Sequence, residues 1–215
     1  HIRLLAEMCK GRTRKPIEPK NDTLITSYAS VVEMGTDPVI IGERINPTGK
    51  SKFKQALRDH NLEYILREAI TQQENGAAVL DVNVGLPEID EVAMMREVVQ
   101  ELQAVTELPL QIDTTDTEAM EQALRIYNGK ALINSVGCTV VALTIDEEGI
   151  PATADGRMAI ARKICAEAEK YGIQKKDIVI DALCMTISSE PTGALVTLET
   201  VRRVRQELGC NTILG

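Results

Sequence analysis

PLQIDTTDTEAMEQALRIYNGKALINS, residues 109–135, contains a complete strand–helix–strand unit. Its two ends, Pro109–Asp113 and Ala131–Ser135, are short apolar runs, which is typical of strands that are buried on both faces of a parallel sheet. Between them the apolar residues recur at helical spacing, and Gly129 follows the predicted helix at the position where a left-handed residue is favoured. The stretch therefore predicts a βαβ unit and a parallel sheet.

The same alternation of short apolar runs and amphipathic helices occupies most of the chain from Asp37 onward. A doubly wound open sheet is one possible arrangement, although the chain contains neither GxGxxG nor a GxxxxGKS or GxxxxGKT loop. The favoured arrangement is an α/β fold, a (β/α)8 TIM barrel that is incomplete at its C-terminus. The predicted strands are Val39–Gly42, Ala78–Asn83, Pro109–Asp113, Ala131–Ser135, Val140–Ile145, Ile178–Leu183 and a last one that begins at Thr212.

The connection between the fourth and fifth predicted strands is too short for a barrel. Only residues 136–139 separate Ala131–Ser135 from Val140–Ile145, whereas a parallel crossover needs about a dozen residues or more. Either the two strands form a hairpin or a helix is missing. The strand–helix rhythm on both sides favours a helix missing near residue 136.

Composition narrows the class of protein. The chain has 215 residues, a formal net charge of −8 and 2% aromatic residues, which argues against a nucleic-acid-binding protein. The longest apolar runs are too short to span a membrane. Five cysteines without a CxxC pair indicate reduced thiols and a cytoplasmic location. Two distant histidines give no zinc-ligand spacing, so no bound metal is predicted.

The polar residues that follow the strands suggest where the chemistry occurs. In a (β/α)8 barrel the site lies at the carboxyl ends of the strands. Each such residue taken alone is more often a helix cap or a loop anchor, but the same residue types recur at several ends. Clustered acids and amides match the N–H donors of an aminopyrimidinone ring, whereas a divalent-metal cage is the competing interpretation. The residues are Glu43, Asp81, Asn83, Asp113, Asn134 and Asp181.

Five motifs at these strand ends carry a resemblance to a known family. They are Ile41–Gly49, Leu80–Gly85, Ile112–Thr114, Ile133–Ser135 and Ile180–Asp181. Residues 37–215, which contain them, resemble the pterin-binding superfamily. Within it, the motifs are most similar to the folate-binding domain of cobalamin-dependent methionine synthases and to the methyltetrahydrofolate:corrinoid methyltransferases. The resemblance implies a pterin-binding TIM barrel, truncated in this chain.

The resemblance also implies a role for each matching residue. Asp113 and Asn134 would be catalytic and would hydrogen-bond the pterin ring together with Asp181. Further residues would lie in the same mouth of the barrel, namely Glu43, Asn46, Asp81 and Asn83. The implied reaction moves the N5-methyl group of 5-methyltetrahydrofolate to a cob(I)alamin or other corrinoid, as in methionine synthesis from homocysteine, with Asp113 supplying a hydrogen bond near the ring.

The first 36 residues are predicted to lie outside the barrel. Residues 3–10 have the pattern of a helix end, and 11–33 are polar and without a clear period, as in a linker or a packed arm. Residues 1–17 resemble the end of a homocysteine-binding barrel. The resemblance therefore implies two partners, a preceding homocysteine-binding domain and a corrinoid-binding domain or protein that supplies the cobalamin.

Two other functions remain open. The first is a dihydropteroate synthase-like enzyme, which needs Arg or Lys residues for a pyrophosphate near the later strands, and no such set is evident before Gly215. The second is a non-catalytic module that binds folate or docks a corrinoid protein. Titration with methyltetrahydrofolate and with a dihydropterin pyrophosphate separates the first of these from the methyltransferase.

Overall fold

The computed structural model describes residues 1–12, 22–134, 140–147, 149–184 and 193–214. Its strands are β1 Thr23–Thr26, β2 Val31–Met34, β3 Ile41–Ile45, β4 Val79–Val82, β5 Leu110–Asp113, β6 Leu132–Asn134, β7 Val140–Leu143, β8 Ile178–Asp181 and β9 Asn211–Ile213. Its helices are α1 Ile2–Cys9, α2 Ser51–Arg58, α3 Leu62–Glu74, α4 Glu91–Val105, α5 Thr117–Ile126, α6 Ala154–Lys170 and α7 Gly193–Arg203. Within these ranges no helix is both long and apolar enough to cross a bilayer.

Strands β3 to β9 form one parallel sheet in which each strand pairs with the next one in the sequence. A doubly wound sheet reverses its strand order at a switch point, and this sheet does not reverse, so that alternative is wrong. The sequential order is that of a (β/α)8 barrel with seven parallel strands in the described residues. The predicted incomplete barrel is confirmed.

Strands β6 and β7 pair in parallel, with Ile133 opposite Val140 and Asn134 opposite Val141. The hairpin alternative for this connection is therefore wrong, because a hairpin pairs its strands in antiparallel orientation. Residues 135–139, which join the two strands, lie outside the described residues. The helix expected to be missing near residue 136 stays a prediction.

The first barrel strand lies further along the chain than the apolar pattern predicts. It covers residues 41–45, not the predicted 39–42, so Glu43 lies within the strand instead of after it. The strand continues this far because Ile45 pairs with Val82 on β4, past an irregularity between Gly42 and Ile45. Within that irregularity Gln72 Oε1 on α3 accepts a hydrogen bond from the Arg44 N–H at 2.6 Å. Gly42 permits this approach, since a Cβ there would lie 2.7 Å from the same oxygen.

The core has an outer and an inner part. The outer part packs the helices against the outward-facing strand residues, among them Leu80, Leu110 and Ile112. The inner part fills the barrel below its mouth with one side chain from each of several strands and from the β1–β2 hairpin, namely Val79, Leu132, Val141, Val179 and Ile25. Apolar residues therefore close the amino end of the barrel, and polar residues are left at the carboxyl end.

The β1–β2 hairpin is held against the amino ends of the strands by specific hydrogen bonds. Tyr127 Oη donates to the Thr26 carbonyl at 2.8 Å and accepts from the Leu110 N–H at 3.1 Å. Asn211 Nδ2 donates to Thr23 Oγ1 at 2.9 Å. Part of the segment predicted to be a linker is thus a strand pair packed on the barrel, while the domain boundary between residues 36 and 37 stays a prediction.

We expect Tyr127→Phe to lower the free energy of unfolding by about 1–3 kcal/mol, because the change leaves two buried backbone groups without their partner. Tyr171→Phe is the matched control, since this tyrosine is 76% exposed. Urea unfolding of both variants measures the difference. Equal losses in the two variants would show that Tyr127 does not anchor the hairpin.

Candidate binding site at the mouth of the barrel

Five of the predicted site residues line one cavity of about 850 Å³. They come from five different strands and are Glu43, Asp81, Asp113, Asn134 and Asp181. Asp113, Asn134 and Asp181 are the last residues of their strands. These three residues lie at the carboxyl ends of the parallel strands, where (β/α)8 barrels carry their sites. From there the cavity extends along the side of the sheet between β3 and β9, to residues 34–39 before β3 and to Asn211 at the start of β9.

Strand geometry explains why these side chains share a face. Successive strand residues point to opposite sides of a sheet, so Asp113 shares its side with Gln111 two positions earlier. Asp113 and Asn134 are directly opposite each other in the β5–β6 register. Asp181 is opposite Leu143 in the β7–β8 register, on the same inner side. The result is a ring of polar groups above the apolar inner core.

Asn83 and Asn46 do not line this cavity but lie beside residues that do. Asn83 Nδ2 donates to Asp113 Oδ2 at 3.0 Å, and its own Oδ1 accepts from the Gly85 N–H at 2.9 Å. Asn83 therefore fixes the orientation of Asp113 from behind. The buried Asn46 accepts from the Thr48 N–H at 2.9 Å and acts to lower the pKa of the neighbouring Asp81.

Burial makes the acids of the cavity easier to protonate. Desolvation, with a further contribution from the charge of Asp113, raises the pKa of Asp81 to about 7, against the opposing hydrogen bond from Gln111. Burial also raises the pKa of Asp113, with the neighbouring Glu43 and Glu91 acting in the same direction. Burial raises the pKa of Asp181, against the hydrogen bond from the Leu183 N–H.

The cavity therefore combines acceptors, donors and readily protonated acids within a small space. A carboxyl group that holds a proton both donates and accepts hydrogen bonds, which suits a heterocycle whose edge carries neighbouring donors and acceptors. In the described ranges, no group of three or more His, Cys, Asp or Glu side chains is placed to hold a metal ion.

We expect Asp81 to make the protein less stable as the pH rises from about 4 to about 7. Its pKa is higher in the folded state than the ordinary 3.8, so the folded state binds the proton more tightly in this interval and loses that advantage as the proton leaves. The maximum contribution is about 4 kcal/mol, at about 1.4 kcal/mol per pKa unit.

Urea unfolding between pH 4 and pH 8 measures this dependence. Asp81→Asn should flatten the slope relative to the wild type, and Asp22→Asn, at an exposed position, should leave it unchanged. A wild-type slope in Asp81→Asn would show that this carboxyl is not the group that titrates.

Sequence reasoning missed two buried polar residues near the cavity. Gln111 is 5% exposed, its Nε2 donates to Asp81, and its Oε1 has no hydrogen-bond partner among the described residues. Its position two residues before Asp113 was the available signal. Arg157 on α6 binds backbone next to Asp181, and nothing in the local sequence of α6 indicates this long-range contact.

The family described as pterin binding enzyme matches residues 42–156. Methionine synthase from Mycobacterium tuberculosis (strain ATCC 25618 / H37Rv) is 27% identical over 235 residues, which are 96% of this chain and 20% of that protein. Methionine synthase from Mycobacterium leprae (strain TN) is 27% identical over 221 residues, which are 92% of this chain and 18% of that protein. The chain thus spans about a fifth of the length of these relatives. The alignment with the Mycobacterium tuberculosis protein, at 235 residues, is longer than the 215 residues of this chain.

Solved structures of dihydropteroate synthases have a similar fold. The enzyme from Xanthomonas albilineans in complex with 7,8-dihydropteroate has a TM-score of 0.64 at 19% identity. The match covers 90% of this chain and 77% of that enzyme's chain. The Yersinia pestis enzyme with a pterine-sulfa conjugate has a TM-score of 0.63 at 13% identity, with coverage of 90% and 77%. The family match spans more than half of the chain and includes four of the five strands that supply the cavity's acids and amide. This chain belongs to the family of pterin binding enzymes.

Proposed function

We propose that the chain binds 5-methyltetrahydrofolate and presents its N5-methyl group for transfer to a corrinoid. The convergence of Asp113, Asn134 and Asp181 on one cavity carries this proposal. The match to pterin binding enzymes supports a pterin ring as the ligand. The similarity to methionine synthases over nearly the whole chain supports methyl transfer in particular.

The cavity residues suit the pterin ring in a specific way. The exocyclic amino group and the neighbouring ring N–H form a pair of donors, which one carboxylate accepts with its two oxygens. Asp113 and Asp181 offer such acceptors, and the Asn134 amide both donates and accepts. Because these groups line a partly buried cavity, their hydrogen bonds compete less with water than they would on the surface.

Methyl transfer requires a better leaving group than a neutral tertiary amine. A proton or a hydrogen bond gained by N5 in the transition state makes it one, so that the N5–methyl bond breaks with its electron pair left on that nitrogen. A reduced corrinoid would supply the electron pair of the new bond to the methyl group. The contribution of this chain is to fix the ring, keep the methyl group at the open mouth and hold a proton nearby, as the raised pKa of Asp81 allows.

The proposal includes partners that supply the rest of a methionine synthase. A corrinoid-binding domain or protein would approach the mouth of the barrel, and a homocysteine-binding domain would end within residues 1–36. The chain spans about a fifth of its relatives, which is consistent with further domains in such a protein. A cytoplasmic location belongs to the same proposal and rests on five cysteines without a CxxC pair.

A dihydropteroate synthase-like reaction is the second candidate. The similar solved structures favour it, and so do two cations on the cavity wall, Arg202 and Arg205, which the sequence analysis did not assign. Both are already engaged, because Arg202 pairs with Glu199 at 2.6 Å and Arg205 Nη1 donates to Asn211 Oδ1 at 2.7 Å. A pyrophosphate would have to displace these partners, so we place methyl transfer first.

Calorimetric titration of the chain distinguishes the candidates. We expect binding of 5-methyltetrahydrofolate, and binding of a dihydropterin pyrophosphate no tighter than that of the dihydropterin alone. A strong gain from the pyrophosphate would favour the second candidate, and no binding of any pterin would contradict the proposal. Binding without methyl transfer to added cob(I)alamin would indicate a non-catalytic folate-binding module.

A further inference from the structure

Arg157 is a cation in the interior of the protein. It is 1% exposed and lies in the first turns of α6, where a helix dipole does not favour positive charge. The acceptors that the structure gives for its guanidinium are neutral: Nη1 donates to Ala182 O at 2.7 Å, Leu183 O at 2.8 Å and Thr197 Oγ1 at 3.1 Å, and Nε donates to Pro151 O at 3.0 Å. Burying a charge costs free energy, and here hydrogen bonds to neutral groups must offset that cost.

These bonds hold the two residues that follow Asp181. Leu183 has a φ of 54°, a left-handed conformation that is strained for a residue with a branched side chain. The Leu183 N–H lies in the same peptide plane as the Ala182 carbonyl and donates to Asp181 Oδ1 at 2.8 Å. Arg157 fixes the carbonyls of Ala182 and Leu183 from the opposite side, so the strained turn is braced at both peptide groups.

We propose that Arg157 is a positioning residue for the ligand-binding carboxylate of Asp181. By bracing the turn at Ala182 and Leu183, it aims the Leu183 N–H at Oδ1 and so sets the orientation in which the carboxylate meets the ligand. The proposal deepens the proposed function, since it rests on Asp181 binding the pterin ring. Thr197 assists, because its Oγ1 also donates to the Leu183 carbonyl at 3.2 Å.

A purely structural arginine would differ in what its loss changes. Its loss would lower the free energy of unfolding. It would not change the Leu183 turn or the Asp181 carboxylate more than any other part of the fold. A positioning arginine acts through Asp181, so its effect on the ligand disappears once the Asp181 carboxylate is gone. Coupling between the two residues therefore separates the two roles.

Hydrogen exchange of the ligand-free chain tests the positioning itself. Arg157→Lys keeps the charge but loses the planar guanidinium fork, and we expect the Leu183 amide to exchange about tenfold faster or more as its hydrogen bond opens. Arg162→Lys on the same helix is the matched control, since Arg162 is an exposed residue that pairs with Glu207. Unchanged exchange at Leu183 in Arg157→Lys would overturn the proposal. If that variant does not fold, Thr197→Val provides the same test with a smaller expected effect.

Titration with 5-methyltetrahydrofolate tests the consequence for the ligand. Arg157→Lys and Asp181→Asn are each expected to weaken binding by about tenfold or more, and the double variant should bind no more than about twofold weaker than Asp181→Asn. Additive losses, or full affinity in Arg157→Lys, would overturn the proposal. If the wild type does not bind the folate, the proposed function fails, while the exchange experiment still decides whether Arg157 positions the turn.

Discussion

Asp113→Asn is expected to weaken the binding of 5-methyltetrahydrofolate by about 10- to 100-fold, since a hydrogen bond to a charged group contributes about 1.5–3 kcal/mol. The carboxylate accepts two N–H donors, whereas an amide offers one oxygen and turns its own donors toward those of the ring. Asn83 Nδ2, which donates to Asp113 at 3.0 Å, would also face a poorer acceptor. Calorimetric titration near neutral pH measures the change.

The control for this variant is Asp177→Asn. Asp177 is also a partly buried aspartate, but it precedes β8 and pairs with Lys130 at 2.6 Å, at the amino end of the barrel. Its replacement should leave folate affinity unchanged. Equal affinities in Asp113→Asn and the wild type would remove Asp113 from the site.

Gly129→Ala is expected to lower the free energy of unfolding by about 3 kcal/mol, the upper part of the range for overpacking in a rigid environment. A Cβ at this position would lie 2.1 Å from the Thr26 carbonyl oxygen and 3.0 Å from the Ser27 Cα. Both are backbone atoms of the β1–β2 hairpin, so the hairpin itself must move. The movement breaks the hydrogen bonds that Thr26 makes with Tyr127 and Lys130.

Gly172→Ala measures the effect of a positive φ without a close contact. Gly172 also has a positive φ, 76°, but a Cβ there would meet nothing within 4 Å. Its replacement should lower stability by only about 1–2 kcal/mol, the penalty of a left-handed conformation. A Gly129→Ala loss no larger than that of Gly172→Ala, in the same urea series, would contradict the close packing of the hairpin on the barrel.

The barrel strands could be predicted because the sheet is parallel and buried on both faces. Each strand is then a continuous apolar run, and the predicted Pro109–Asp113 differs from the observed Leu110–Asp113 by one residue. The strand at residues 41–45 was misplaced because its pairing with β4 continues past an irregularity between Gly42 and Ile45, through residues that are not apolar. The β1–β2 hairpin was missed because it is short and is stabilised by contacts with residues such as Tyr127, about 100 positions away.

The residues of the site could also be predicted in part. Acids and amides at strand ends are visible in the sequence, and parallel topology alone brings Asp113 next to Asn134. The distinction between residues that line the cavity and those that brace it was not visible, because it depends on side-chain contacts such as that of Asn83 with Asp113. The role of Arg157 could not be predicted for the same reason, since α6 contacts the end of β8 only in the folded chain.

A crystal structure of the chain with 5-methyltetrahydrofolate tests the central claim most directly. We predict the pterin ring within hydrogen-bonding distance of Asp113, Asn134 and Asp181, with the N5-methyl group toward the open mouth of the barrel. A ring bound without these three side chains, for example in the groove of about 370 Å³ beside α5, would contradict the claim that the strand ends form the folate site.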